Sequence, residues 1–311
     1  MNILSYIERH ELRALTTPNN RQAVWVVACN AGLIAAAFAL PALWHNPAAW
    51  VLASVVLAGR ALGLGILTHE AAHLTFFRSR KLNEWAGIWL FGALPNVPYH
   101  AYRRGHLQHH RALGTGQDPD LVFVDGYPAT RASLLRKLLR DVSGINGVKN
   151  VAYQMRSNES TALRPFLLAH ALLFGALWAA GVPQVYACWW IGMIFVYPLL
   201  LRLRVMAEHG GLPDAQGADL RENTGTTLAG PLARLLVAPN RVNYHVEHHL
   251  AASVPCYRLP AMHKLLVARG FYEGAANLAP SYWQVVRRCM ARDGQAAVKH
   301  RVAKGALDNM R

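Results

Sequence analysis

Three short histidine clusters carry the chemistry of this sequence: His69-Glu70-Ala71-Ala72-His73, His106-Leu107-Gln108-His109-His110 and His245-Val246-Glu247-His248-His249. On a helix, residues three or four apart share a face, so each cluster can aim its imidazoles at one point. Imidazole suits iron, zinc, copper or nickel, while so few carboxylates disfavour calcium and magnesium. The eight clustered histidines exceed what one ion takes, whereas two ions of about four to five ligands each would use them. A paired, redox-active iron site suits such a set and an oxygen-dependent reaction. His209, in Arg204-Val205-Met206-Ala207-Glu208-His209-Gly210, is a ninth candidate by its place just beyond an apolar segment. Of the 15 histidines, His10, His45, His100, His170, His263 and His300 lack such spacing and read as structural, although His100 lies near the second cluster.

Metal-bound imidazoles are oriented through their second ring nitrogen, and Glu70, Glu208, Glu247, Asp118 and Asp120 are placed to do this. Surface or capping roles are open to each of them. Asn240 and Asn243 precede the third cluster, where they suit a turn or a metal-linked water.

The elements that must position these clusters are apolar. The chain has 311 residues, 53% hydrophobic and 16% charged. Gln22 to Gly59 and Pro165 to Leu201 contain no Asp, Glu, Lys or Arg. One helical crossing needs roughly 20 apolar residues, so each stretch accommodates two. Pro41 to Pro47 and Gly181-Val182-Pro183 supply the bends. The expected fold is an all-α integral membrane protein: two transmembrane hairpins, about 22–68 and 165–204, giving about four crossings. A helical cytoplasmic cap, 99–164 and 205–311, would carry the di-metal site, all in one domain over 1–311. Trp85 to Pro98 is too short to cross and reads as re-entrant or interfacial. An amphipathic helix is expected around Ala132 to Arg140, as a membrane-surface element.

Lys and Arg avoid both hairpin tips and flank the apolar stretches, which places both termini and all three clusters on the cytoplasmic side. Arg60, near the inner end of the second crossing, could snorkel or face the interior. The net charge of +15 suits anionic lipid and is compatible with an acidic electron carrier. Without a long basic run carrying interleaved aromatics, it does not indicate nucleic acid. Cys29, Cys188, Cys256 and Cys289 form no C-x-x-C pair, against an iron–sulfur or zinc-ribbon module. Met1 to Gln22 is polar and does not read as a cleavable signal peptide.

In order, spacing and topology, the three boxes resemble the membrane fatty acid desaturase and hydroxylase superfamily, whose patterns are H-x3-H or H-x4-H followed by two H-x2-H-H boxes. The resemblance spans His69 to His249 with both hairpins. Gly114-Thr115-Gly116-Gln117-Asp118-Pro119-Asp120-Leu121 is similar to a compact bacterial branch that includes dihydrorhizobitoxine desaturase-like proteins. The resemblance implies that His69, His73, His106, His109, His110, His245, His248 and His249 bind two non-haem irons, and that His209 matches an extra histidine before the third box. It also implies a bacterial inner-membrane enzyme with O2 as co-substrate and a fatty acyl or other aliphatic substrate. Reductive activation of dioxygen would be followed by removal of hydrogen from an unactivated carbon. Loss of a second hydrogen gives an alkene, and return of oxygen an alcohol.

This sequence has no His-Pro-Gly-Gly haem segment of the cytochrome-b5 type, so electrons are expected from a separate ferredoxin or similar carrier with its reductase. Desaturation, hydroxylation and desaturation of a small amino-acid-derived substrate remain open. A more distant alternative is a membrane zinc metalloprotease, because the first box alone is H-E-x-x-H with Glu70 as base. The two other boxes would be surplus to it. A metal transporter or storage protein would instead place ligands within the crossings.

Overall fold

The structure, a computed structural model, describes residues 3–157 and 160–291. His300 lies outside the described residues. The described chain is mostly helical. Helix α1 (Asn20–Leu43) and helix α2 (Pro47–Ala72) form the first hairpin. Helix α3 (Tyr99–Ala112) follows, then α4 (Arg131–Val142) and α5 (Ile145–Ser157). The second hairpin pairs α6 (Ser160–Ala179) with α7 (Pro183–His209). Short helices α8 (His245–Leu250), α9 (Leu259–Ala268) and α10 (Tyr282–Arg288) complete the cap. A parallel pair of two-residue strands, β1 (Thr226–Thr227) and β2 (Leu278–Ala279), ties two of its loops together.

Among the described residues, α1, α2 and α7 are long and apolar enough to cross a membrane. The apolar part of α6, Leu163–Ala179, is shorter. The expected bends are present: Asn46 accepts a hydrogen bond from the Ala49 N–H (3.0 Å) with Pro47 at the first helical position, and Gly181 takes a left-handed φ of 76°. Pro41 does not break the first hairpin. It lies in the last turn of α1, which runs on to Leu43. The segment expected to be re-entrant or interfacial is a short helix, Arg80–Ala86, running into a π turn, Gly87–Phe91. It turns Trp85 and Trp89 outward and buries Phe91.

Helix α2 is the central post, largely buried, while α1 exposes most of its apolar surface. Small residues let the other hairpin approach it: a Cβ on Gly192 would come within 2.5 Å of the Ser54 carbonyl oxygen. Helix α7 carries a π turn at Gly192–Val196. Pro198 has no N–H with which to close an α turn onto the Ile194 carbonyl, and that carbonyl instead lies against Gly147 of α5.

Arg60 faces inward. Its Nη1 donates to Asn30 Oδ1 at 3.1 Å and its Nη2 donates to the Leu235 carbonyl. Asn30 in turn donates to Asn240 Oδ1, and Asn240 donates to the Gly63 carbonyl, both at 2.8 Å. This buried knot fastens the first hairpin to the left-handed turn at Asn240 and Arg241 (φ 52° and 66°), just ahead of the third box.

The amphipathic helix expected around Ala132 to Arg140 is α4. Its buried Asp141 accepts from the Arg202 Nε, from its Nη2 (3.0 Å) and from Asn146 (2.6 Å), which fixes the cap to α7. Asp141→Ala strands the half-buried Arg202 guanidinium and is expected to cost about 2–3 kcal/mol, read as a lowered thermal midpoint of the purified protein. An unchanged midpoint would show that this pair does not hold the cap.

Candidate metal centre

Each box gains its geometry from the element that carries it. His69 sits in the last turn of α2 and His73 caps it, so both lie at the C-terminal end of the post. His106, His109 and His110 lie on the last turns of α3, and His209 ends α7. His245, His248 and His249 share one side of α8, with Glu247 on the opposite side.

The nine histidines meet in two adjoining groups. The first comprises His69, His73, His106, His110 and His248, and the second His109, His209, His245 and His249. In each, the ligand atoms lie within 4.8 Å of one another. Close Nε2–Nε2 approaches are 2.8 Å for His73–His106, 3.0 Å for His69–His248 and His110–His248, and 3.1 Å for His106–His110. In the second group they are 2.9 Å for His209–His245, 3.1 Å for His245–His249 and 3.3 Å for His109–His249. Imidazole–metal bonds of roughly 2.1 Å set at right angles place their nitrogens about 3.0 Å apart, so both groups fit a bound ion. The groups touch where the rings of His110 and His249 stack at 4.2 Å. Boxes two and three each give imidazoles to both.

The far sides of several rings fix the tautomer. Carboxylates and backbone carbonyls only accept, so a ring nitrogen facing one carries the proton and its Nε2 keeps a free lone pair. His69 Nδ1–H faces Glu70 Oε1 at 3.2 Å, His109 Nδ1–H donates to Asp118 Oδ1 at 2.7 Å, and His209 Nδ1–H donates to the Asn223 carbonyl at 2.9 Å. His245 Nδ1 lies 3.6 Å from Glu208 Oε1, and Glu208 also accepts from Arg204 Nε at 2.7 Å. Asp120 stands farther off, 3.8 Å from His109.

Glu247 is a correction to the expectation that it orients a box imidazole. Fully buried, it accepts from Thr226 Oγ1 (2.6 Å), His263 Nδ1 (2.5 Å) and Tyr272 Oη (2.5 Å), anchoring the back of α8. None of these three partners has a local sequence signal, because they come from a strand, a neighbouring helix and a loop. Asn240 serves the buried knot, and Asn243 donates to the Thr227 carbonyl (2.9 Å). His100 pairs loosely with Glu84 at the surface, and His170 is bonded to Tyr186 and the Leu94 carbonyl.

Burial drives the His73 imidazole down to about 4 and that of His110 to about 3, and holds His106, His245, His248 and His249 well below the ordinary value. For His109 burial acts in the same direction, but its bond to Asp118 and the nearby Asp120 outweigh it and raise the value. The depressed imidazoles are neutral at pH 7. In the unfolded chain they take protons near 6.5, so below that pH the unfolded state binds more protons and folding weakens as pH falls. The metal-free protein should therefore lose thermal stability steadily from pH 6.5 to about 4. A midpoint that rises over that range would contradict this burial.

The family model for fatty acid desaturases matches residues 45–281, which takes in α2, the second hairpin and all three boxes. The chain belongs to that family. This desaturase-family chain is 26% identical over 257 residues to the dihydrorhizobitoxine desaturase of Bradyrhizobium elkanii, covering 74% of the chain and 70% of that enzyme. It is 29% identical over 254 residues to a beta-carotene ketolase of Paracoccus sp. (strain PC1), covering 76% of the chain and 92% of the ketolase. A segment of 88 residues is 36% identical to the Delta(12) fatty acid desaturase of Mortierella isabellina, but it takes in 28% of the chain and only 20% of that relative's length.

Proposed function

We propose that this chain is an oxygen-dependent desaturase of an aliphatic substrate, with two irons held by His69, His73, His106, His110 and His248 and by His109, His209, His245 and His249. The observation that carries the reading is the convergence of nine Nε2 atoms into groups of five and four. Bound there, the iron pair would supply reductive activation of dioxygen and removal of hydrogen from an unactivated carbon. The chain's own part is to hold the ligand tautomers through Asp118, Glu208, Glu70 and the Asn223 carbonyl, and to keep the imidazoles neutral by burial. Both hairpins cross the bilayer, in four passes, with the histidines on the cytoplasmic side beside the basic flanks. Electrons come from a separate ferredoxin-like carrier and its reductase.

The metalloprotease alternative finds little support in the geometry. Glu70 accepts from the Cys256 N–H at 2.7 Å and faces His69 Nδ1, away from the converging nitrogens, where it cannot serve as a base. Hydroxylation is a second reading, favoured by the match to most of the length of a ketolase. Mass spectrometry of products from cells expressing the chain separates them: loss of two hydrogens is expected, gain of one oxygen supports the second reading, and oxygen-independent peptide cleavage overturns both.

A further inference from the structure

A cleft of about 740 Å³ runs between the two hairpins, lined by α1, α2, α6 and the segment that carries the first π turn. On α1 the alanines Ala31, Ala35 and Ala39, four apart and so on one face, leave the space that larger side chains would close. All three are exposed, so the cleft opens sideways on the membrane-facing surface of the helix. Its lining on α1 extends from Val27 to Leu43. That is about 24 Å of helix, against roughly 30 Å for the hydrocarbon core of a bilayer.

The chemistry of the lining selects the occupant. Asn30 carries its only polar side chain, and the hydrogen-bonding groups of that amide are already used. Its Nδ2 donates to the Val26 carbonyl and to Asn240 Oδ1, both at 2.8 Å, and its Oδ1 accepts from Arg60 Nη1 at 3.1 Å. An ordered water needs two to four polar partners and finds none free among these side chains. A polar ligand would bury its own groups unmatched. Hydrocarbon alone gains contacts there, and a bilayer supplies it along the whole depth of the cleft. On α2 the lining residues are Leu64 and Leu67, whereas His69, two positions on, lies about 200° further round the helix. The cleft is therefore on the side of α2 turned away from His69.

Given the crossing of both hairpins on which this rests, we propose that the cleft holds a hydrocarbon chain of a bilayer phospholipid. That chain packs the first hairpin against the second and is not the molecule oxidised.

The test is native mass spectrometry of the full chain after reconstitution in dioleoylphosphatidylcholine vesicles, an alkaline carbonate wash and extraction in dodecyl maltoside. A phospholipid should stay bound to the wild type. The variant A31F/A35F, whose rings fill the cleft from α1, should retain at least about tenfold less. Ala36→Phe, on the same helix but off the lining, should retain it as the wild type does. Added dioleoylphosphatidylcholine should raise the thermal midpoint of the wild type and of A36F and leave that of A31F/A35F unmoved. Should the double variant show no folding transition, Ala39→Phe takes its place with the same expectation. Because only hydrocarbon is recognised, dioleoylphosphatidylglycerol vesicles should give equal retention. No phospholipid on the wild type, undiminished retention by the cleft-filling variant, or retention of the anionic lipid alone would overturn the proposal and leave the crossings intact. Release of the chain from the vesicles by carbonate would overturn the crossings and the proposal with them.

Discussion

His209→Ala should leave the purified protein with about one tightly held iron in place of two, and should lower product formation by more than about a hundredfold. The magnitude follows from outer-sphere changes alone costing 10–100-fold in affinity or activity; loss of a ligand exceeds that. The asymmetry of the two groups makes the prediction specific. His209 is one of four members of the second group and the only one supplied by α7, 2.9 Å from His245 Nε2. His73 is one of five in the first, so His73→Ala leaves four imidazoles in place. The His209 variant should therefore lose more iron than the His73 variant, measured side by side by metal analysis. Retention of both irons without His209 would take it out of the ligand set.

Glu247→Ala should cost the fold roughly 3–6 kcal/mol and release iron from both groups together. Removing this carboxylate strands a buried donor on Thr226 and part-buried donors on His263 and Tyr272, each at about 1–2 kcal/mol, the lower part of the usual range for an unmatched donor. Total stabilities are typically only about 5–15 kcal/mol, so the loss is large. Helix α8 is six residues long and gives His248 to one group and His245 and His249 to the other. With its back face unanchored, both sets of ligands shift at once. Thermal unfolding and iron content read the two effects. A variant with a normal midpoint and two irons would show that the short helix needs no such anchor.

The histidine boxes were legible in the sequence because their spacing is local: imidazoles three and four apart share a helix face whatever the rest of the chain does. The apolar stretches gave the hairpins for the same reason, and Gly181 and Pro183 marked one bend. Partition of the ligands between two groups was not legible, since it depends on α3 and α8 meeting across the centre, contacts of long sequence separation such as His109–His249. Glu247 shows the limit from the other side. Its place inside a box suggests a role toward the imidazoles, yet helical geometry turns it to the opposite face, and its partners arrive from distant segments. Arg60 was ambiguous from its position alone, because only the fold brings Asn30 and the Leu235 carbonyl to it.

A pair of irons on nine imidazoles is open to direct metal quantification of the purified protein, expressed with iron and zinc both available. About two irons per chain and little zinc are expected. A single zinc per chain, with no iron, would contradict it.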